Sequence, residues 1–371
     1  MSDVRSGIAV TCGLFTALLF LQATTLAQSA PHDQRYIADK PLLAVWSHPN
    51  EHLANPVLAE LLKAVQEIAP PDAQAVMSGA IPKLDLMRLS LSMGRTPWSE
   101  KPMPRGVSLY HFTDPAAATL LLNNMSKGLE AKTTPELKSP IYTLKPFEHD
   151  LGTPGQPQKD WKLSMGVTQL NPQTIVQAES VEKMLQVLSP ATGAAPAWGN
   201  DLAALAKTQS TMFIDLMQIR EMIKGEKGPP GGIEAMIFNS VKALWEQADY
   251  AFISIDTTNG IVVSAQAQSP TAEAAQRFKG ALEGLIGLGK GFLPMAKQMS
   301  AQLNQQTPGM GDLLYTELES LVNGIQITQA GMQTKMTLGI KQETLARVPG
   351  LVLPAIKQAR ERALAMQAPT T

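Results

Sequence analysis

The five histidines are the side chains best suited to acid–base or metal chemistry: His32, His48, His52, His111 and His149. His48 and His52 flank Glu51 at a separation that, on a helix, places two imidazoles on one face as metal ligands. Pro49 and Asn50 instead predict a connection between the first strand and its helix. Because no third ligand lies nearby in the sequence, we interpret this pair as part of a solvent-facing loop and predict no metal site.

The other histidines give weaker signals of catalysis. His111 follows Val107 and Leu109 at the strand period, which favours a packed or partly exposed structural histidine over a catalytic base. Residues 148–150 read Glu-His-Asp within a segment rich in Pro and Gly. A polar cluster in such a loop is typical of a solvated surface, and we interpret it so.

Residues 284–291 resemble a phosphate-binding loop through the spacing of Gly284, Gly289 and Lys290. That motif ends in Ser or Thr, which holds a magnesium ion, but Gly291 occupies this position. The motif also joins a strand to a helix, whereas this stretch continues a predicted helix. We interpret the match as chance similarity and predict no cofactor.

Other motifs of enzyme chemistry are missing from the sequence, namely Gly-x-Ser-x-Gly, His-Glu-x-x-His and Cys-x-x-Cys. A pair of carboxylates can still assemble from distant positions, so an enzyme stays an open alternative. The leading prediction is a non-catalytic protein without catalytic, cofactor-binding or metal-ligating residues. The competing hypothesis is a hydrolase whose site uses loop residues such as His48, His52 or His149.

The chain holds 18 methionines, a number of them on or between predicted helices. Soft, adaptable methionine side chains line grooves for lipids or peptides, although at helical spacing they more often fill a core. We favour core filling and keep an apolar groove as the alternative. The methionines in question are Met184, Met217, Met222, Met236, Met295, Met299 and Met310.

The first 27 residues have the pattern of a secretory signal peptide. Arg5 is followed by an apolar run from Ile8 to Leu21, and small residues stand at Thr25 and Ala27. We expect cleavage after Ala27 and export to the periplasm or the extracellular space. Since no charged side chain lies between Arg5 and Asp33, the alternative is an uncleaved leader that tethers the protein to the membrane through residues 7–27.

Composition excludes several classes of protein. The 31 basic and 32 acidic residues balance to a net charge of -1, whereas a nucleic-acid-binding protein usually shows a basic excess or stripe, so we predict no nucleic-acid partner. Cys12 is the single cysteine, so a chain without its leader can form no disulfide. Stability must then come from a buried core, which the remaining residues can supply as two domains of ordinary size.

A strand, strand, helix unit recurs four times along the chain. In the clearest copy, alternating residues from Tyr250 turn at Asn259 and Gly260 and return to Gln268, before Ser269 and Pro270 open a helix. The other three copies cover residues 86–127, 161–188 and 324–366. Each pair of units follows a strand and a helix, at residues 42–68 and 212–245. In the first of these, Asn55 and Pro56 are expected to cap the helix.

This order predicts a tandem duplication of a β-α-ββα-ββα module. Residues 36–190 form the first α+β repeat domain and residues 208–366 the second, joined by the stretch 190–199, which is rich in Pro, Ala and Gly. Half-buried strands, each hairpin followed by a helix, predict an antiparallel sheet with helices packed on one face. The pattern does not say whether the two repeats share one sheet. Irregular loops are expected at 94–105, 145–160, 224–232 and 304–311.

The stretch Lys40-Pro-Leu-Leu-Ala-Val-Trp-Ser-His-Pro-Asn, followed by the capped helix and the hairpin–helix units, resembles uncharacterised exported bacterial proteins with duplicated strand-strand-helix units. The resemblance implies no known activity and no functional residues. We therefore predict an exported binding or envelope scaffold protein, whose partner is an unknown protein or an apolar ligand. Carriage of an apolar ligand such as a lipid is the first alternative, and the hydrolase is the second.

Overall fold

The structure is a computed structural model. It describes residues 41–96, 99–133, 139–143, 166–178, 184, 198–205, 208–222, 224, 241–306, 309–350 and 353–354. The predicted signal peptide, His32 and the polar cluster at 148–150 lie outside the described residues. Among the described residues, no helix is long and apolar enough to cross a membrane.

Twelve strands in the described part of the chain form one sheet, in which all neighbouring strands are antiparallel. The α+β class and the antiparallel sheet are therefore confirmed. The strands are β1 (Pro41–Ser47), β2 (Leu84–Thr96), β3 (Ser99–Phe112), β4 (Glu130–Lys132), β5 (Ile141–Thr143), β6 (Gly166–Asn171), β7 (Thr174–Ala178), β8 (Ser210–Asp215), β9 (Tyr250–Asp256), β10 (Gly260–Gln268), β11 (Gln326–Ala330) and β12 (Gln333–Lys341).

Helices connect the strands and cover the sheet. They are α1 (Pro49–His52), α2 (Pro56–Ile68), α3 (Pro71–Gly79), α4 (Pro115–Met125), α5 (Gly199–Ala204), α6 (Leu216–Met222), α7 (residues 241–247), α8 (Ala272–Gln306), α9 (Met310–Gly324) and α10 (Gln342–Leu345). A 3-10 turn at Ile81–Lys83 leads into β2.

The strand order is β11-β12-β10-β9-β8-β1-β2-β3-β7-β6-β5-β4. The pair formed by β1 and β8 lies near the middle, so strands from both predicted repeats share a single sheet. On one side of this pair the order is β1-β2-β3-β7-β6, and on the other it is β8-β9-β10-β12-β11. In each case the first three strands follow the chain and the last two are reversed. The short strands β4 and β5, which the sequence analysis missed, extend the first side.

Local signals in the sequence produce several of these elements. Asn55 caps α2 by accepting a hydrogen bond from the Val57 amide at 3.1 Å, and Asp114 caps α4 by accepting from the Ala116 amide at 2.9 Å. Gly260 has a φ of +109°, and a side chain there would meet the carbonyl oxygen of Ile340. The hairpin turn predicted at Asn259 and Gly260 and the cap predicted at Asn55 are confirmed.

Both faces of the sheet carry buried apolar clusters. On face I, which we define by Trp46, Phe213 and Phe252, the side chains pack against Trp198 and Leu202, the latter from α5. The Trp198 and Phe213 rings lie 4.6 Å apart between centroids. The expectation of helices on one face is therefore only partly correct, because α5 covers face I while other helices cover the opposite face.

The opposite face, face II, is defined by residues that alternate with those of face I. Near one end of the sheet, Tyr110 and Phe112 pack against Leu121 of α4 and Val76 of α3. Toward the other end, Phe278 of α8 packs in a cluster with Ala267 and Ala251 of the sheet. Most of the described helical cover lies on this face.

Two expectations about local structure are wrong. The predicted loop at 94–105 is largely strand, because β2 and β3 stay paired as far as Thr96 and Ser99. Pro and Gly residues in this hairpin weaken the strand pattern, but the ladder of hydrogen bonds outweighs them. Gly199, placed in the linker, begins α5. The sequence pattern predicts no helix in the region where α9 lies. Helix α8 ends at Gln306 and α9 begins at Met310, so both helices extend into the loop expected over 304–311.

Helix α8 spans 35 residues, about 52 Å at the rise of an α-helix. The stretch that resembles a phosphate-binding loop lies in its interior, which agrees with the interpretation of chance similarity. Its second half packs against α9, where Asn304 Oδ1 accepts from the Gly311 amide at 2.7 Å. Phe292, Met295 and Met299 of this half are exposed.

Candidate functional site

A buried polar cluster lies where β1 ends beside the start of β8. His48 and His52 are each only 1% exposed, which corrects the expectation of a solvent-facing loop. Residues 49–52 form the short helix α1 rather than an extended connection, and this turn folds both imidazoles inward. Their partners come from strands far away in the sequence, so no local pattern indicated the burial.

Each imidazole in this cluster has a defined hydrogen bond. Nδ1 of His48 donates to the backbone carbonyl oxygen of Asp85 at 2.9 Å. Nε2 of His52 is hydrogen-bonded to Oγ of Ser210. Oγ of Ser210 also lies 2.8 Å from Oγ of Ser47, so the two serines and His52 join β1, β8 and α1. The cluster thus ties together β1 and β8, two adjacent strands near the middle of the sheet.

Burial perturbs the protonation of this cluster. The pKa of His52 is lowered from 6.5 to about 3 by burial and by the nearby His48. Burial also lowers the pKa of His48, against the opposing effect of its bond to Asp85. The pKa of Glu51 is raised from 4.5 to about 7 by burial and by the charge of Asp85. Both imidazoles are therefore neutral at pH 7.

The Ser210–His52 pair contains the two groups of a nucleophile and its general base. Nδ1 of His52, the atom that a carboxylate orients in a catalytic triad, finds no hydrogen-bond partner in the described part of the chain. The imidazole is also sealed from solvent, so a substrate has no approach to it in this conformation. This geometry favours a structural network. The absence of catalytic residues stays a prediction.

The polar network continues toward the turn between β9 and β10. The Asn55 amide donates to the carbonyl oxygen of Thr257 at 3.2 Å and to Oε1 of Gln342 at 3.0 Å. Oε1 of Gln209 accepts from the Thr257 amide at 2.9 Å. These bonds connect the cap of α2, the residue before β8, the turn after β9 and the first residue of α10, which come from both predicted repeats. Within the described residues, no group of three or more His, Cys, Asp or Glu side chains could hold a metal ion.

A second candidate site is an apolar cavity of about 200 Å³ between face II and the helices α6, α7 and α8. Alanines on β9 and β10 leave this space beneath the larger side chains of the helices. Phe278 and Leu282 of α8 and Trp245 of α7 form part of the opposite wall. The full lining is Leu216, Val241, Leu244, Trp245, Ala251, Ile253, Ala265, Gln266, Ala267, Phe278, Leu282 and Thr334.

The chemistry of this lining is almost entirely hydrocarbon. The Thr334 hydroxyl donates to the carbonyl oxygen of Ala275 at 3.1 Å, so this polar atom already has an acceptor in the protein. No charged side chain belongs to the lining. An apolar cavity of about 150 Å³ stays dry and binds benzene, so a space of this size and character suits a small hydrocarbon group.

The remaining candidates from the sequence lie apart from both sites. His111 is half-buried in β3, and its Nδ1 lies 3.0 Å from Oγ1 of Thr174, as expected for a structural histidine. Met184 is buried in the core, but four other methionines are exposed, so core filling is wrong for them. None of these methionines lines the cavity. The exposed methionines are Met217, Met222, Met295 and Met299.

Comparisons with known proteins add little to this description. No family model matches the chain, and no curated protein matches it. A solved structure, crystal form I of TP0453, is similar with a TM-score of 0.38 and 10% sequence identity. The similarity covers 87% of this chain and 98% of that chain. At this level it carries no inference about function.

Proposed function

We propose that this protein is a non-catalytic binding protein that holds an apolar ligand in the cavity between β9, β10 and the helices α6–α8. The observation that carries the proposal is the cavity itself, which has about 200 Å³ of space and a lining without charge. Water gains little in such a space because it finds few hydrogen-bond partners there. A hydrocarbon group loses no hydrogen bonds when it enters the cavity, and removing its apolar surface from water is favourable.

The size of the cavity sets the strength of binding. A ligand that buries about six CH₂ groups gains roughly 5 kcal/mol at about 0.8 kcal/mol each, before the cost of association is subtracted. That upper limit corresponds to a Kd of a few tenths of a millimolar. The cavity alone therefore supports weak, reversible binding of a small apolar group.

Filling the cavity tests this function. We expect toluene and n-hexanol to raise the melting temperature of the wild-type protein, because a ligand that binds only the folded state stabilises it. Ala265→Phe places a ring in the cavity and should abolish the effect. Ala131→Phe makes the same change on the exposed strand β4 and should keep it.

Differential scanning calorimetry at increasing ligand concentration measures these shifts, and far-UV circular dichroism checks that both variants fold. Equal shifts in the wild type and in a folded Ala265→Phe variant would show that the ligand binds elsewhere. No shift in the wild type at saturating ligand would exclude the cavity as a binding site.

The leader supports a further part of the proposal, that the protein works outside the cytoplasm after cleavage behind Ala27. The charged start, apolar run and small residues of positions 1–27 carry it. Sequencing the N-terminus of the protein from its native host distinguishes release from tethering. A mature chain that begins at Gln28 supports release, whereas an intact leader supports a membrane tether through residues 7–27.

We also propose that the two halves of the chain arose by tandem duplication, with repeats at 36–190 and 208–366. The matching strand orders β1-β2-β3-β7-β6 and β8-β9-β10-β12-β11 support this origin. An experimental structure in which these five strands of each half superpose in chain order would support the duplication, and one in which they do not would oppose it.

A further inference from the structure

The cavity lies within a longer row of apolar side chains that crosses face II. Directly paired residues on seven adjacent strands point to this face and form what we call the apolar row. From β11 to β2 its members are Ile327, Met336, Ala265, Ile253, Met212, Val45 and Leu89. Ala265 and Ile253 also line the cavity, so the two features are continuous.

All seven members of the apolar row are half-buried. Its six intervals of ~4.8 Å between strands give a length of about 29 Å. Two acyl chains end to end span the hydrocarbon core of a bilayer, which is about 30 Å thick, so one extended chain is about 15 Å long. One such chain therefore covers roughly half the length of the row. The row is thus long enough for an extended alkyl chain that starts in the cavity.

Most of the neighbouring side chains on face II are also apolar. On one side of the row, the paired residues Ala251, Ile214 and Leu43 continue the apolar surface across β9, β8 and β1. On the other side, Leu338, Val263 and Ile255 do so across β12, β10 and β9. Beyond Ile255, the paired positions on β8 and β1 are Ser210 and Ser47 of the buried polar cluster, so the apolar surface ends there on this side. No charged side chain interrupts these positions.

The backbone beneath the row favours a hydrocarbon over a peptide. The strands β8, β1, β9 and β10 are hydrogen-bonded on both sides within the sheet. Their backbone amide and carbonyl groups therefore already have partners and cannot pair with a bound peptide. The amide and carbonyl groups of such a peptide would be buried without hydrogen bonds, at a substantial cost in free energy. An alkyl chain has no such groups.

We propose that the ligand is an unbranched alkyl chain, such as a fatty acyl chain, with one end in the cavity and the rest along the apolar row across β9, β8 and β1. This inference rests on the proposed function and names the class of its ligand. Cavity binding alone limits the ligand to a small group, whereas the row makes affinity depend on chain length.

Titration of the full-length protein with hexanoate, decanoate and tetradecanoate by isothermal calorimetry tests the inference. Each buried CH₂ group strengthens binding by up to about fourfold. Because the row is half-buried, we expect each CH₂ group to contribute less than this limit. Binding should still become at least tenfold tighter from six to ten carbons. We expect a further increase at fourteen carbons.

A matched pair of variants locates the chain. Val45→Thr places a hydroxyl in the row beyond the cavity and should weaken tetradecanoate binding by about fivefold while hexanoate binding is unchanged. Val262→Thr makes the same change on the exposed part of β10 that points to face I, and it should alter neither.

The outcomes separate this inference from the function on which it rests. Binding of all three ligands with the same affinity would overturn the alkyl chain while leaving the cavity as a binding site. Absence of binding at every chain length, together with no stabilisation by toluene, would overturn both. The wild-type series decides the question even if Val45→Thr does not fold.

Discussion

Glu51→Gln tests the electrostatics of the buried polar cluster. The pKa of Glu51 is raised in the folded protein from 4.5 to about 7, because burial and the charge of Asp85 oppose its ionisation. A group with a raised pKa contributes its full stability below pH 4.5 and loses it as the pH rises through 7. Ionised Glu51 therefore destabilises the fold at pH 8, and a neutral glutamine removes that effect.

The magnitude follows from the interval between the two pKa values. The pKa difference between 4.5 and about 7 corresponds to about 3 kcal/mol at 1.36 kcal/mol per pH unit. Solvent screening near the margin of the cluster reduces this to roughly half. We expect Glu51→Gln to raise the free energy of unfolding by about 1–2 kcal/mol at pH 8 and to leave it nearly unchanged at pH 4.

Urea denaturation followed by circular dichroism, at pH 4 to 8, measures this difference. Glu60→Gln, on the exposed side of α2, controls for the general effect of removing a carboxylate. A Glu51→Gln variant that is stabilised equally at pH 4 and pH 8, or destabilised at pH 8, would refute the reasoning. Either result would mean that the ionised Glu51 carboxylate is stabilised at least as well in the folded state as in the unfolded state.

Two further predictions concern the same region. The pKa of His52 is lowered from 6.5 to about 3, so its contribution to the free energy of unfolding is fully present above pH 6.5 and is lost as the pH falls toward 3. The free energy of unfolding of the wild type should fall by up to about 1.4 kcal/mol per pH unit between pH 4.5 and 3, because Glu51 no longer offsets the effect of His52 in this range. In urea titrations, His52→Asn should reduce this slope. A slope unchanged by the substitution would contradict the burial of His52. Asn55→Ala removes a helix cap and the bonds to Thr257 and Gln342, and should cost about 2–3 kcal/mol in urea denaturation, against about 1 kcal/mol for the exposed cap Asp114→Ala. Equal losses would show that the bonds of Asn55 across the sheet add nothing to its cap.

The sequence predicts those parts of the fold that depend on neighbouring residues. Asn55 with Pro56 and Asp114 with Pro115 set the starts of α2 and α4, because a side-chain acceptor and a fixed φ angle act within one turn. Asn259 and Gly260 set a hairpin for the same reason. Strand alternation then indicates an antiparallel sheet.

The candidate sites depend on residues that the sequence does not bring together. The sequence predicts a solvent-facing loop at His52, because its partner Ser210 belongs to a strand on the other side of a long intervening segment. The cavity arises from alanines at 251, 265 and 267 facing Phe278 and Leu282, and alanine in a strand carries no sign of what lies above it. The register that aligns the apolar row is likewise a property of seven strands at once.

The pairing of β1 with β8 has a consequence for how the chain folds during synthesis. Ser47 and Ser210, which meet in this pair, are 163 residues apart, so β1 is made long before the strand that covers it. Until then it is an open sheet edge with a row of unsatisfied amides and carbonyls, which are a template for pairing with another chain. Two nascent copies can satisfy the same ladder by exchanging halves, since the β8 of one copy fits the β1 of the other. The seam at the centre of the sheet is thus also the place where a domain-swapped dimer would form.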